Sequence, residues 1–473
     1  MKEFTLRLGL MLAMLAVTSC TSMRFEDFFS GYTKQLQQTR RAMLMADVPA
    51  ALSYLPKQGK GHNAYSLSLL EQARLHFVMA NWSESARLFD EVYQEIEHEA
   101  AKAKIQISSG FEQAGAVVSN DSAIQYQVPT YEQSMLHSYQ ALNYLFQDDF
   151  QAALVEVRRA NLVQEQALKD NQKVIDQAVE KMRVQGIASS SLYQAYGVLH
   201  PELVELKNGF QNAYTFYLSG VLYEASGEIN DAYIDYKKAL EISPDNPFIQ
   251  QDVLRLAAKL HMKDDLQALT ERYGEIDNVK IKQDNGELVV FYEQGMIAAK
   301  REAKLSLPVS SRHGDMRFFS VSLPVYQRNA DLSPPLALIF DQQSYQASDI
   351  VRLQLLAEKT LTEQLPAMAS RQILRLLAKE RLRRKMKQEG GDIGNILASL
   401  YSLASEHADT RSWQTLPQNI QVLRVSLPQG QHQLIFEHSN GRSEVEVKIE
   451  SGRISLVNMT SFGDFTDVQT KNL

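Results

Sequence analysis

From residue 28 to about 275 apolar positions return every three or four residues among Ala, Leu, Gln and Glu, a pattern that predicts helices. Beyond Gly274 the pattern changes. Glu287–Glu293, Phe318–Leu323 and Leu336–Phe340 are dense in β-branched and aromatic residues; Ile420–Leu427, His432–Phe436, Ser443–Ile449 and Ile454–Met459 alternate apolar with polar. Turn signals at Pro428-Gln429-Gly430, Asn440-Gly441 and Ser451-Gly452 predict a meander of hairpins with one buried face. Helical patterns at 349–388 and 392–406 separate the two strand groups. The prediction is an α+β chain: an all-α domain at 28–275, then a β-rich, sandwich-like domain at 276–473 with a helical insert at about 349–406. One sandwich built from both strand groups is the economical arrangement, and two separate β modules is the alternative.

The helical half repeats itself. Gly220, Tyr223, Gly227, Ala232, Tyr236, Ala239 and Pro244 have the spacing of small and aromatic residues that lets two antiparallel helices pack closely. Ala141, Tyr144, Asp148, Ala153, Val157 and Ala160 repeat it, as do Ala73, His76, Ala80, Ser85, Phe89 and Val92 more loosely. Ala51 to Ser85 is 34 residues, Ser85 to Ala153 is 68, and Ala153 to Ala232 is 79, or two periods with an insertion of 11. The spacing resembles the tetratricopeptide repeat and implies a solenoid, closed by a last pair near Pro247–Leu260 and Lys263–Tyr273. Residues 108–131 and 187–212 break the pattern and are apolar enough to pack on the solenoid. Tyr144, Tyr223 and Tyr236 read as core.

The N-terminus adds a different signal. Lys2 and Arg7 make a positive start interrupted by Glu3, Leu8–Val17 is an apolar run of ten, and the run ends in Val17-Thr18-Ser19-Cys20. Ten residues are too few to cross a bilayer as a helix but suit a secretory leader. Small residues before a cysteine resemble the bacterial lipobox, in which Cys20 becomes the lipidated N-terminus after removal of residues 1–19, with 20–27 as a tether. Cys20 is the single cysteine, so disulfides and cysteine-rich zinc sites are excluded. Loss of Lys2, Arg7 and Glu3 takes the formal charge from −7 to −8, which argues against nucleic-acid binding.

Two further features carry candidate chemistry. Arg371, Arg375, Lys379, Arg383 and Lys387 stand four apart on the predicted insert, a like-charge stripe that disfavours a helix unless solvent or an acidic partner relieves it. Solvent, the acidic repeat domain, and an anionic lipid or partner are the three environments that suit it. Just before the C-terminal strands stands Asp409-Thr410-Arg411-Ser412-Trp413-Gln414-Thr415-Leu416-Pro417. Asp409, Arg411 and Trp413 read either as an ordered junction or as a ligand or interface site. Together with the lipobox and the repeats, this run resembles a family of uncharacterised proteobacterial outer-membrane lipoproteins with tetratricopeptide repeats. Thr21, in place of the aspartate that retains lipoproteins in the inner membrane, fits that placement. The resemblance implies an envelope setting, with peptidoglycan assembly as its context, and no reaction.

None of the ten histidines has a zinc-ligand spacing, and no nucleophile elbow, P-loop or dinucleotide fingerprint occurs. The reading is therefore a non-enzymatic scaffold at the outer membrane, facing the periplasm, without metal or cofactor and with a protein partner on the repeats. A glycan-binding protein or envelope enzyme acting through the β-rich domain is the competing class.

Overall fold

The structure, a computed structural model, describes residues 31–108, 121, 124–197, 201–274, 284–310, 315–326, 334–403 and 407–473, the side chains of 103–108, 201 and 382–403 excepted. The predicted leader, the predicted tether and Cys20 lie outside the described residues. The chain is α+β, with a helical N-terminal region and strand sheets beyond it.

The helices run α1 (Tyr32–Gln35), α2 (Gln37–Leu44), α3 (Val48–Tyr54), α4 (Tyr65–Val78), α5 (Trp82–Ser108), α6 (Thr130–Phe146), α7 (Phe150–Val184), α8 (Ser189–Tyr196), α9 (Pro201–Glu205), α10 (Ala213–Ala225), α11 (Ile229–Ile242), α12 (Pro247–Lys259) and α13 (Lys263–Tyr273). Five hairpins, α2–α3, α4–α5, α6–α7, α10–α11 and α12–α13, share one connection. Its middle residue is left-handed, with φ between 56° and 83°: Ala46, Ala80, Asp148, Gly227 and His261. In each turn that residue's amide bonds the carbonyl three back, and the next amide bonds the carbonyl five back. Asp47 and Asp149 then cap the following helix through the amides of Ala50 and Ala152. The repeated small residues meet inside these hairpins. Ala73, Ala141, Ala153, Ala232 and Ser85 have no exposed surface, and a Cβ on Gly220 would fall 2.6 Å from the Tyr236 ring. Helices α4, α6 and α10 are buried nearly all round, because α5, α7 and α11 cover one side and the C-terminal half covers the other.

The cover is a five-stranded sheet in the order β11-β10-β1-β7-β6, formed by β1 (Asn285–Gln294), β6 (Ser348–Val351), β7 (Asn419–Pro428), β10 (Ile454–Phe462) and β11 (Phe465–Asn472). Val289, Phe291, Ile420, Val422, Leu456 and Phe462 point to the helices and join one core with them. Phe291 stands edge-on to Tyr214 and Tyr217, at 5.0 and 6.0 Å. Leu288, Val290, Leu423, Val457 and Met459 point the other way, against Leu338, Leu434, Phe436, Val447 and Ile449 of a second sheet. That sheet runs β5-β4-β8-β9, from β4 (Ala337–Phe340), β5 (Gln343–Gln346), β8 (Gly430–His438) and β9 (Gly441–Ile449). Both strand groups thus contribute to two facing sheets, with the helices as a third layer.

Three expectations need correction. The last strands are not a simple meander: β7 leaves the first sheet for β8–β9 in the second, and the chain returns as β10, which pairs parallel with β1. Burial of the first sheet on both faces explains this, since β1 and β10 are buried at consecutive positions and send apolar side chains into two cores at once. Phe318–Leu323 joins neither sheet; it belongs to β3 (Met316–Tyr326), paired with β2 (Lys300–Ser310). The insert begins as strand β6 and continues as one helix, α14 (Leu353–Leu403), through Pro366 and Gly390-Gly391. The β2–β3 hairpin, α8, the end of α7 and the first part of α14 share a separate core of Met182, Leu192, Leu307, Val321, Leu365 and Ile373. They form an arm beside the main body. Residues 187–197 thus pack on the hairpin and α14.

The shared turn is testable. Ala80→Gly relieves a left-handed alanine and is expected to raise the unfolding free energy by about 0.5–1 kcal/mol, while Gly227→Ala lowers it by about 1 kcal/mol. Urea denaturation of the two variants checks both signs.

Candidate functional site

The Asp409–Pro417 run is a strap laid between the helical region and the first sheet, and buried charges hold it by its backbone. Glu132 of α6 accepts the Trp413 amide at 3.1 Å. Glu71 of α4 accepts the next two amides, Gln414 at 2.7 Å and Thr415 at 3.0 Å, one on each oxygen. Arg40 of α2 donates to the carbonyls of Gln414 and Ile297, both at 2.9 Å, and Lys300 donates to that of Arg411 at 2.9 Å. Three successive strap amides therefore rest on two carboxylates supplied by two inner helices.

Arg411 uses its whole guanidinium. Nε and one terminal nitrogen grip Asp409 at 2.8 and 2.7 Å. The other terminal nitrogen reaches the carbonyls of Asn63 at 2.8 Å and Ile124 at 2.9 Å, and the one on Asp409 also reaches that of Asp121 at 3.2 Å. Tyr126, from the 108–131 insertion, lies under the guanidinium and donates its hydroxyl to Glu132. Asp121, Ile124 and Tyr126 of that insertion are thus tied to the strap. Trp413 has no exposed surface: its ring packs against Phe89 and Tyr139 at 5.8 and 6.0 Å, and its Nε1 donates to Thr415 at 3.0 Å. Asp409, Arg411 and Trp413 are brought together as an internal interface, with no free tryptophan face for a sugar.

Burial pushes Glu71 up to about 7 against the strap hydrogen bonds that favour its charge. Glu132 and Glu293 are raised for the same reason. Burial also disfavours the Asp409 carboxylate, but the bonds and charge of Arg411 win and hold it below its usual range.

Two further buried ion clusters dock the sheet on the helices. Glu293, at the end of β1, pairs with Arg74 of α4 and accepts from Thr460 at 3.1 Å. Arg424 of β7 meets Glu224 at 3.0 Å, Asp252 at 3.2 Å and Glu287 at 3.2 Å. Burial opposes the Glu224 charge, yet Arg424 and Arg255 together hold it well below the ordinary carboxylate range. Tyr236 belongs to this cluster, donating to Glu224 at 3.0 Å, whereas Tyr223 accepts from Arg158 at 3.0 Å.

The basic stripe divides. Arg375 is buried and bonds Asp121 at 2.9 Å, and half-exposed Arg371 reaches the same carboxylate at 3.3 Å. These two therefore hold Asp121 of the 108–131 stretch. Lys379 lies further along the arm, and the side chains of Arg383 and Lys387 fall outside the described residues. Glu71, Arg74, Glu132, Glu224 and Arg424 carry these interfaces without a motif to mark them. For the four on helices, a charged residue on an otherwise apolar helix stripe was the available signal.

Among the described residues no group of three or more His, Cys, Asp or Glu is arranged to hold a metal ion, and no helix is long and apolar enough to cross a membrane. No known family profile matches the chain, and no curated protein does. Among solved structures it is similar to "Crystal structure of MamA" at 12% identity and a TM-score of 0.27, over 50% of this chain and 91% of that one. "Crystal structure of MamA protein" matches at 11% and 0.27, over 52% and 96%.

Two predictions follow from the strap's chemistry. A carboxyl whose pKa is raised by folding stabilises the fold most below its unfolded value, and that contribution disappears as pH rises through the folded one. The Glu71 contribution should therefore fall between about pH 4.5 and 7, and Glu71→Gln should flatten that slope in melting curves taken across the range. Arg411→Lys cannot serve an aspartate and three carbonyls at once, and should cost about 3–5 kcal/mol in chemical denaturation.

Proposed function

We propose that this chain is a lipid-anchored protein-interaction scaffold of the outer membrane, facing the periplasm, and that its helical hairpins form a tetratricopeptide-type solenoid. One observation carries the reading: the inner helices grip a peptide segment by consecutive backbone amides, through Glu71 and Glu132. This is the chemistry of a polypeptide-binding groove, used here in cis. The 34-residue return of the left-handed turns, from Ala46 to Ala80 and from Gly227 to His261, supports the solenoid. The lipobox-like Val17–Cys20 run supports the anchor.

Occupation of the inner face in cis sends partners to the outer helices. Exposed apolar residues there include Val155 and Leu162 on α7 and Ile234 on α11. Peptidoglycan or envelope assembly is the proposed setting. The scaffold recruits proteins, and the chain itself catalyses nothing. It takes no metal, cofactor or nucleic acid.

Photo-crosslinkers placed at Leu162 and Ile234 in the intact chain are expected to yield discrete adducts with one or a few envelope proteins. A crosslinker at buried Trp413 should yield none, and adducts at Trp413 alone would contradict the proposal. For the anchor, the wild-type chain should resist a high-salt wash of membranes and incorporate labelled palmitate. Cys20→Ala should do neither; unchanged salt resistance and labelling would refute lipidation at that residue.

A further inference from the structure

One charge pair at the helix–sheet interface is bonded less completely than the others. Glu71, Glu132 and Glu224 are each hydrogen-bonded through both oxygens. Arg74 and Glu293 meet through Nη2 and Oε2 alone. Arg74 of α4, Tyr139 of α6, Tyr214 of α10 and Glu293 of β1 are at most 1% exposed. Yet five of their polar atoms have no hydrogen-bond partner among the described residues: Nε and Nη1 of Arg74, Oε1 of Glu293 and both tyrosine hydroxyls. Each such atom costs stability for as long as it is buried without a partner.

These groups occupy one place in the fold. The Arg74 guanidinium carbon stands 4.5 Å from the centre of the Tyr139 ring, and the charges of Arg74 and Glu293 act on the hydroxyls of both Tyr139 and Tyr214. A polar row leads from them to the edge of the sheet. Glu293 on β1 stands opposite Thr460 on β10, and Thr460 opposite Asp467 on β11. Residues in register share a face of the sheet, here the face that Phe291 and Phe462 turn to the helices. Thr460 donates to Glu293 at 3.1 Å, and partly buried Asp467, on the edge strand, feels the charge of Arg74.

The chemistry of the five atoms selects what binds there. Nε and Nη1 of Arg74 only donate, Oε1 of Glu293 only accepts, and each hydroxyl does both. An anion would serve the donors alone and a metal cation the acceptors alone, while Arg74 and Glu293 cancel the charge that would draw either. Water donates and accepts together. A buried water makes about three hydrogen bonds, so the five atoms call for about two. We propose that about two buried waters are a permanent part of this interface, bridging Arg74, Glu293, Tyr139 and Tyr214 and exchanging with solvent along the Thr460–Asp467 row. Solvent then joins the two halves of the chain at this point, where protein groups alone join them at the strap carboxylates.

Tyr214→Phe tests the proposal through the sign of its effect. Removing a hydroxyl that holds water should lower the melting temperature of the intact chain by about 2 °C, whereas removing one without a partner should raise it by about as much. An unchanged or raised melting temperature would overturn the proposal. A crystal structure of the intact chain, at a resolution that orders solvent, gives the direct readout. Ordered water within hydrogen-bond distance of most of the five atoms is the expected result. A bound ion, a dry site, or side chains that bond one another with no water between them would overturn it.

Discussion

Everything in this fold depends on how the inner helices are covered. Helices α4, α6 and α10 are buried almost all round and carry Glu71, Arg74 and Glu132, charges that solvent does not reach, and the largely buried Glu224. An ion so buried is tolerable only when hydrogen-bonded or paired. The second half of the chain supplies the partners: three strap amides for Glu71 and Glu132, Glu293 for Arg74, and Arg424 for Glu224. Removing the strap or the sheet would strand these charges as well as expose the apolar surface around Phe291. The helical region and the first sheet accordingly share one hydrophobic core.

This arrangement separates what the molecule uses internally from what it presents. The sheet-facing side of the inner helices is filled by residues 408–417 and β1. What remains open is the outer row of helices and the arm, whose own small core sets it beside the main body. The basic stripe spans both: Arg371 and Arg375 bind Asp121, whose carbonyl meets strap residue Arg411, while the helix beyond them continues along the arm.

Much of the fold was legible in residue order because helices and strands differ in period. The helical hairpins follow from small residues recurring at 34-residue intervals, and the two-sheet arrangement from apolar runs in both strand groups. The β1–β10 parallel pair was not legible: Leu288–Tyr292 of β1 is apolar at consecutive positions and assigns no face, while the alternation of Ile454–Met459 reads as a hairpin strand with one buried face. Strand β11, Phe-Thr-Asp-Val-Gln-Thr-Lys-Asn, is polar at most positions and reads as a tail until β10 pairs with it. The strap was visible as an unusual mixture of Asp, Arg and Trp, but its mode of attachment was not. Backbone amides grip Glu71 and Glu132, and amides leave no trace in side-chain chemistry.

The central claim is that the strap amides are part of the core. Hydrogen exchange at Trp413, Gln414 and Thr415 in the intact chain addresses it most directly. The account predicts that these three amides exchange only with global unfolding, at the rate of Phe291 in β1. Exchange at loop-like rates while β1 stays protected would contradict it.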